Sequence, residues 1–131
     1  MAIALLLSGC FWRSYPRQAT THAELLKAMA HKGVDLVVLG RLTAESMPEL
    51  TYPLERAGAF VDAAAARAGA APPTSLAALR ALCDRYRALL DALDRVRRAE
   101  RGAAAGEQLA PALAAVDAAA AEVRRALAAE G

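Results

Sequence analysis

The chain has few of the residues that build most catalytic and binding sites. Only 5% of its 131 residues are aromatic, and it has two cysteines, two histidines, eight glycines and six prolines. This composition argues against a β-barrel, a β-sandwich, a collagen-like chain and a low-complexity disordered chain. The cysteines form no CxxC, CxxCH or zinc-type motif, so the motifs exclude structural zinc and covalently attached haem.

A surplus of charge of one sign is also missing. The net charge is +2, from 16 basic and 14 acidic residues that are mixed along the chain. The densest basic run lies between Arg95 and Arg101, and Asp91 and Asp94 precede two of its arginines by four residues, the spacing of helical ion pairs. We therefore interpret the run as a self-paired helix surface and expect no nucleic-acid partner.

Alanine is abundant, with 36 residues, and it has the highest helix propensity. Apolar residues recur at helical spacing in four segments, which predicts an all-α, up-down-up-down four-helix bundle. The predicted helices cover about residues 21–41, 47–69, 75–101 and 107–130. Between the last two helices, Gly102 to Gly106 form a flexible connection. An alternative for Val34 to Leu39 is a strand, which would need another molecule to pair with.

Two of these helices begin at patterns that resemble capping boxes. Thr21-His22-Ala23-Glu24 and Ser46-Met47-Pro48-Glu49 both have the form S/T-x-x-E, in which the first side chain caps the helix and the fourth reaches back. We expect the first helix to start at Thr21 and the second to start just after Ser46.

The N-terminal segment is apolar from Ala2 to Leu7, which is too short to span a bilayer. The residues that follow, Leu7-Ser8-Gly9-Cys10, resemble the lipobox of bacterial lipoproteins, whose cysteine is acylated and becomes the mature N-terminus. The resemblance implies a signal over residues 1–10 with lipidation of Cys10, a tether over residues 11–20 and a helical bundle over residues 21–131. Phe11 after the cysteine, instead of the aspartate of inner-membrane lipoproteins, favours the outer membrane with the protein facing the periplasm.

The segment departs from a complete signal peptide at its start. No basic residue precedes Arg13, and the apolar run is shorter than the usual h-region of about 7 to 15 residues. One interpretation is that translation starts upstream of Met1. The other is that residues 1–12 form an apolar arm that packs on the domain.

Two surfaces are candidates for contacts. Tryptophan and tyrosine favour membrane interfaces and arginine attracts anionic headgroups. The candidate membrane-surface residues are Phe11, Trp12, Arg13, Tyr15 and Arg17. The alternative is that Trp12 and Tyr15 pack on the bundle. A candidate partner groove is formed by Pro48, Tyr52 and Pro53.

No arrangement of residues predicts catalysis or metal binding. A di-iron bundle needs Glu-x-x-His motifs, and none occurs. His22 and His31 are nine residues apart, so on one straight helix they point in different directions. Cys83 has the spacing of a core residue, and a thiol buried in apolar surroundings is inert. We expect no metal, no cofactor and no enzymatic activity.

The sequence thus predicts a small non-enzymatic helical-bundle lipoprotein of the bacterial cell envelope, with a structural or protein-interaction role. The alternative is a cytosolic helical adapter in which residues 1–12 pack into the fold and the alanine faces of the second and fourth helices form a homodimer. A third class, an enzyme or haem carrier, would need a site assembled across subunits.

Overall fold

The structure, a computed structural model, describes residues 2–99 and 105–131, with side chains from residue 9 onwards. It has four α-helices, α1 (Ala2–Val38), α2 (Ser46–Ala68), α3 (Thr74–Arg98) and α4 (Ala105–Glu130). The predicted all-α four-helix bundle is confirmed. The alternative strand at residues 34–39 is not formed, because α1 continues through Val38. Most of the predicted connection at residues 102–106 lies outside the described residues.

Contacts near the helix ends fix the direction of α1, α3 and α4. Tyr15 in α1 is 2.8 Å from Ser75 at the start of α3, and Gly33 packs against Leu93 near the ends of the same two helices. These helices therefore run in the same direction. Glu130, the last residue of α4, bonds to Ser75, so α4 runs in the opposite direction.

The second helix is antiparallel to α1. Lys32, near the end of α1, forms an ion pair with Glu49 in the first turn of α2. Arg67, in the last turn of α2, lies over the ring of Phe11. The topology is therefore up-down-up-down, as predicted.

The first and third helices lie at the centre of the packing. Each of them contacts the other three helices, whereas α2 and α4 do not contact each other within the described residues. The fully buried side chains of α3 include Leu79, Leu82, Tyr86, Leu89 and Leu93. Each buried leucine contributes about 1.5–3 kcal/mol relative to an exposed one. The Tyr86 hydroxyl donates to the carbonyl of Leu50, which ties α3 to α2.

The first helix is longer than predicted, and the predicted tether over residues 11–20 is wrong. These residues are helical, and Tyr15 and Ala19 are buried in the core. Pro16 lies inside the helix, where it removes one backbone hydrogen bond. Pro16 itself is exposed. The helix continues through it because the burial of Tyr15 and Ala19 stabilises this part of α1.

The capping-box predictions fail at both helices for the same reason, since the hydroxyl groups make other bonds. The Thr21 hydroxyl donates to the carbonyl of Arg17 at 2.9 Å, within α1. Ser46 is the first residue of α2 and not its cap, and its hydroxyl accepts the backbone N–H of Thr43 at 3.2 Å. A Ser or Thr can bond back to the preceding turn instead of capping the next one.

The N-terminal part of α1 extends past the other helices. Tyr15 is level with the start of α3 and the end of α4, and Phe11 is level with the last turn of α2. The helix continues from Cys10 back to Ala2, which adds about 13 Å at 1.5 Å per residue.

Candidate functional site

The residue singled out for lipidation, Cys10, lies at the outer end of the bundle. It is part of α1, and both Cys10 and its neighbour Gly9 are exposed. Among the side chains that the structure describes, Phe11 is the first that packs against the core. Within residues 9–38 of α1, packing against the core therefore begins directly after Cys10.

An aromatic cluster anchors α1 to α2 just inside this boundary. The ring of Phe60 in α2 is the centre, with centroid distances of 5.9 Å to Phe11, 5.6 Å to Tyr15 and 4.9 Å to His22. Trp12 stands 5.1 Å from both Phe11 and Tyr15. These separations lie in the favourable range for aromatic pairs. The cluster joins residues from distant parts of the chain, and sequence spacing carried no signal for Phe60.

The predicted membrane-surface residues therefore divide into two groups. Tyr15 is only 3% exposed and its hydroxyl bonds to Ser75, so the prediction that it contacts a membrane surface is wrong. Burial raises the pKa of Tyr15, although the Ser75 hydrogen bond acts in the opposite direction. Phe11 and Trp12 are half-buried, whereas the side chains of Arg13 and Arg17 are exposed.

A polar cluster at the same end joins three helices. Glu130 accepts two hydrogen bonds from Ser75, one from its backbone N–H and one from its hydroxyl, both at 2.7 Å. Ser75 is fully buried and also contacts the Tyr15 hydroxyl. A carboxylate at a helix N-terminus satisfies an unpaired N–H and interacts favourably with the helix dipole. Because Ser75 is enclosed and its partners are carboxylate and phenol, we interpret the cluster as structural.

The two histidines have separate environments. His22 packs on Phe60, and burial lowers its pKa, with the positive charge of Arg56 acting in the same direction. His31 in α1 is 2.8 Å from a carboxylate oxygen of Asp117 in α4, a contact between helices that the sequence analysis missed. Neither histidine is placed next to a nucleophile among the described residues.

The second cysteine, Cys83, is buried in α3 as predicted. Burial raises its pKa to about 11. At neutral pH the group is a thiol and not a thiolate, which makes it a poor nucleophile.

The predicted groove of Pro48, Tyr52 and Pro53 is not formed by these three residues. Tyr52 is 56% exposed and Pro48 is exposed, whereas Pro53 is buried in the core. Residues 52 and 53 are neighbours on a helix and so point about 100° apart, which sends Pro53 inwards. The Arg56 guanidinium lies over the Tyr52 ring at 5.7 Å and donates to its hydroxyl.

An open groove of about 260 Å³ lies between α1 and α4. Its floor consists of Ala23, Ala28 and Ala120, and its rim carries charges of both signs. The groove follows from the small side chains at the facing positions of the two helices. Alanine spacing alone did not predict it.

The described helices offer no metal site of the usual kind. Within residues 2–99 and 105–131, no group of three or more His, Cys, Asp or Glu side chains is arranged to hold a metal ion. None of the helices in these ranges combines the length and the apolar character needed to cross a membrane.

Comparison with protein-family models, with curated proteins and with solved structures finds no match to the chain.

Proposed function

We propose that the protein is a small non-enzymatic lipoprotein of the bacterial cell envelope, attached to a membrane through acylated Cys10, with a structural or protein-interaction role. One observation supports the proposal above all. Among the side chains that the structure describes, those that pack on the core begin at Phe11, and the residue before it is the exposed Cys10 of the lipobox-like sequence.

This boundary matters because lipoprotein maturation makes the acylated cysteine the first residue. If the chain were cut before Cys10, the aromatic cluster around Phe60 and the cluster of Tyr15, Ser75 and Glu130 would both remain whole. The packed part of the protein would then begin directly after the acylated cysteine. Each acyl CH₂ buried in a bilayer contributes about 0.8 kcal/mol, so several chains give stable attachment. Phe11 at the position after the cysteine favours the outer membrane, with the bundle in the periplasm.

The intact mass of the protein from its native host, measured after membrane fractionation, tests this proposal. We expect a species in the membrane fraction that starts at Cys10 and carries added acyl mass. The variant Cys10→Ser should lose the acyl mass, whereas the matched variant Cys83→Ala should keep it. An unmodified chain that retains Met1 and stays in the soluble fraction would contradict the proposal.

A second candidate is the helical adapter, in which residues 1–12 belong to the fold. The packing of Phe11 and Trp12 against the core favours it. In this alternative two copies associate through the alanine faces of α2 and α4. Light scattering of the unmodified chain tests it, since a dimer would scatter at twice the monomer mass. A monomer across the micromolar range would contradict the adapter.

A further inference from the structure

The end of the bundle that carries Cys10 has more basic than acidic side chains. Tyr15 and Ser75 mark the level of this end. Arg13 and Arg17 lie within one turn of that level in α1, and Arg67 lies in the last turn of α2. All three arginines are exposed. We call these three side chains the basic end face.

The only acidic side chain at this level, within the described residues, is Glu130. Its carboxylate is engaged by the N-terminus of α3. The nearest charges deeper in the other three helices are Asp62 in α2, Arg80 in α3 and Arg125 in α4. Each lies five residues further along its helix, which places it about 8 Å deeper. The connection between α2 and α3 at residues 69–73 carries no charged residue.

This distribution accounts for the charge of the whole molecule. The chain has a net charge of +2, and three arginines with one glutamate give the same value at the end face. The rest of the chain therefore has equal numbers of basic and acidic residues. Many of these are paired along the helices, as Asp94 is with Arg97 and Arg98. The excess of basic side chains at this end therefore equals that of the whole sequence.

The side chains of the end face suit phosphate-bearing surfaces. Arginine presents a planar set of donors that binds phosphate oxygens in pairs. Arg67 is held in place, because its guanidinium lies 4.5 Å from the centre of the Phe11 ring and donates to the carbonyl of Ala63. An anionic lipid surface attracts such basic groups over a distance of about one Debye length.

We infer that the basic end face docks on anionic lipid headgroups and holds the bundle upright, with α1 along the membrane normal. The inference rests on the proposed function in one respect, since the attachment at Cys10 brings this end to the membrane. Beyond the attachment itself, the inference specifies an anionic lipid surface and an upright orientation of the bundle. Arg67 is one of the contact residues, and the buried Tyr15 is not.

The experiment uses Trp12, the single tryptophan of the chain and the neighbour of Arg13, as a native reporter beside the end face. The purified protein is coupled through Cys10 to a maleimide lipid in vesicles of phosphatidylcholine, with or without phosphatidylglycerol. A lipid with a spin-labelled headgroup then quenches Trp12 according to its distance from the surface. We expect stronger quenching in the anionic vesicles and a return to the neutral value at about 0.5 M salt, where the Debye length is a few ångströms.

Two triple variants that lower the net charge equally distinguish an effect of the end face from an effect of net charge. Replacing Arg13, Arg17 and Arg67 by Gln should lower the ratio of docked to undocked molecules by roughly fivefold for each arginine and remove the effect of phosphatidylglycerol. The control replaces Arg41, Arg85 and Arg124 by Gln. These residues are also exposed, lie elsewhere on the bundle, and should leave the quenching unchanged.

Equal quenching in neutral and anionic vesicles would overturn the inference, as would an equal loss in both triple variants. If the end-face variant does not fold, the salt dependence of the unmodified protein decides the question, and quenching that does not change with salt would overturn the inference. Because the lipid is attached chemically, absence of acylation in the native host would overturn the proposed function and leave the docking result standing.

Discussion

At the scale of single residues, the two cysteines differ in the properties that govern thiol reactivity. Cys10 is exposed, whereas Cys83 is buried with its pKa raised to about 11. We expect iodoacetamide to add one group to the folded, unacylated protein at about pH 7.5 and two groups in denaturant. Mass spectrometry counts the groups. The variant Cys10→Ser should stay unlabelled when folded, and rapid labelling of that variant would refute the prediction.

His22 gives a pH dependence whose direction follows from its burial. Its pKa in the folded chain lies below the unfolded value of 6.5, first because of burial and then because of Arg56. The unfolded chain therefore binds a proton at higher pH than the folded chain does. As the pH falls through 6.5, protonation favours unfolding and stability is lost, until His22 also protonates in the folded state.

Urea unfolding at about pH 7.5 and about pH 5.5 measures this effect, which is at most about 1.4 kcal/mol for each unit of pKa difference. The wild-type free energy of unfolding should fall more between the two pH values than that of His22→Gln. The variant His31→Gln should retain the contribution of His22. An identical pH dependence of the wild type and His22→Gln would contradict the assignment.

Residue roles could be predicted from the sequence only where they depend on local pattern. The burial of Cys83 followed from its helical spacing between Leu82 and Tyr86. Glu130 was missed because its partner Ser75 is 55 residues away, and no spacing rule connects them. Tyr15 was misassigned because an amphipathic side chain suits both a membrane interface and a protein core in which its hydroxyl has a hydrogen-bond partner.

At the scale of elements, α3 receives its N-terminal cap from the last residue of α4. Removing the carboxylate in Glu130→Ala leaves the Ser75 N–H without this partner. We expect a loss of about 1–2 kcal/mol in the free energy of unfolding, measured by chemical denaturation. The matched variant Glu122→Ala loses only a surface ion pair with Arg125 and should cost less than about 0.5 kcal/mol.

A double-mutant cycle with Ser75→Ala tests whether the two groups act together. If the effects of Glu130→Ala and Ser75→Ala add fully, the cap does not contribute as a unit. We expect coupling: the double variant should lose less free energy of unfolding than the sum of the two single losses.

The helices were predictable to different degrees. The bounds of α2, α3 and α4 lie within a few residues of the prediction because large apolar side chains mark their buried faces and Gly69 marks a break. The first helix was shortened in the prediction because Pro16 and the Thr21 pattern both indicate a helix start. Its true buried face continues through Ala19 and Ala23, whose small side chains give a weak periodic signal.

At the scale of the whole molecule, the two central helices α1 and α3 determine where the fold is most stable. Each contacts the other three helices, whereas α2 and α4 lie apart within the described ranges, and α3 carries most of the largest fully buried side chains. We expect the slowest amide hydrogen exchange in the middle of α3, near Leu82 and Tyr86, and faster exchange in α2 and α4. Exchange measured by mass spectrometry on peptides tests this order, and slower exchange in α2 than in α3 would contradict it.

The fold class followed from alanine content and helical periodicity, which are properties of the whole chain. The basic end face could not be predicted in this way, because it depends on which helix ends lie next to each other in the fold. Arg67 is about 50 residues or more from Arg13 and Arg17 in sequence, and only the antiparallel packing of α1 and α2 places them together.

The length of α1 has a mechanical consequence. A pull applied at Cys10 runs along the axis of a helix that is packed between its neighbours from Phe11 to Val37. Such a load shears all of these side-chain contacts at once instead of peeling them off one turn at a time. The bundle is therefore built to resist tension at the end where Cys10 stands.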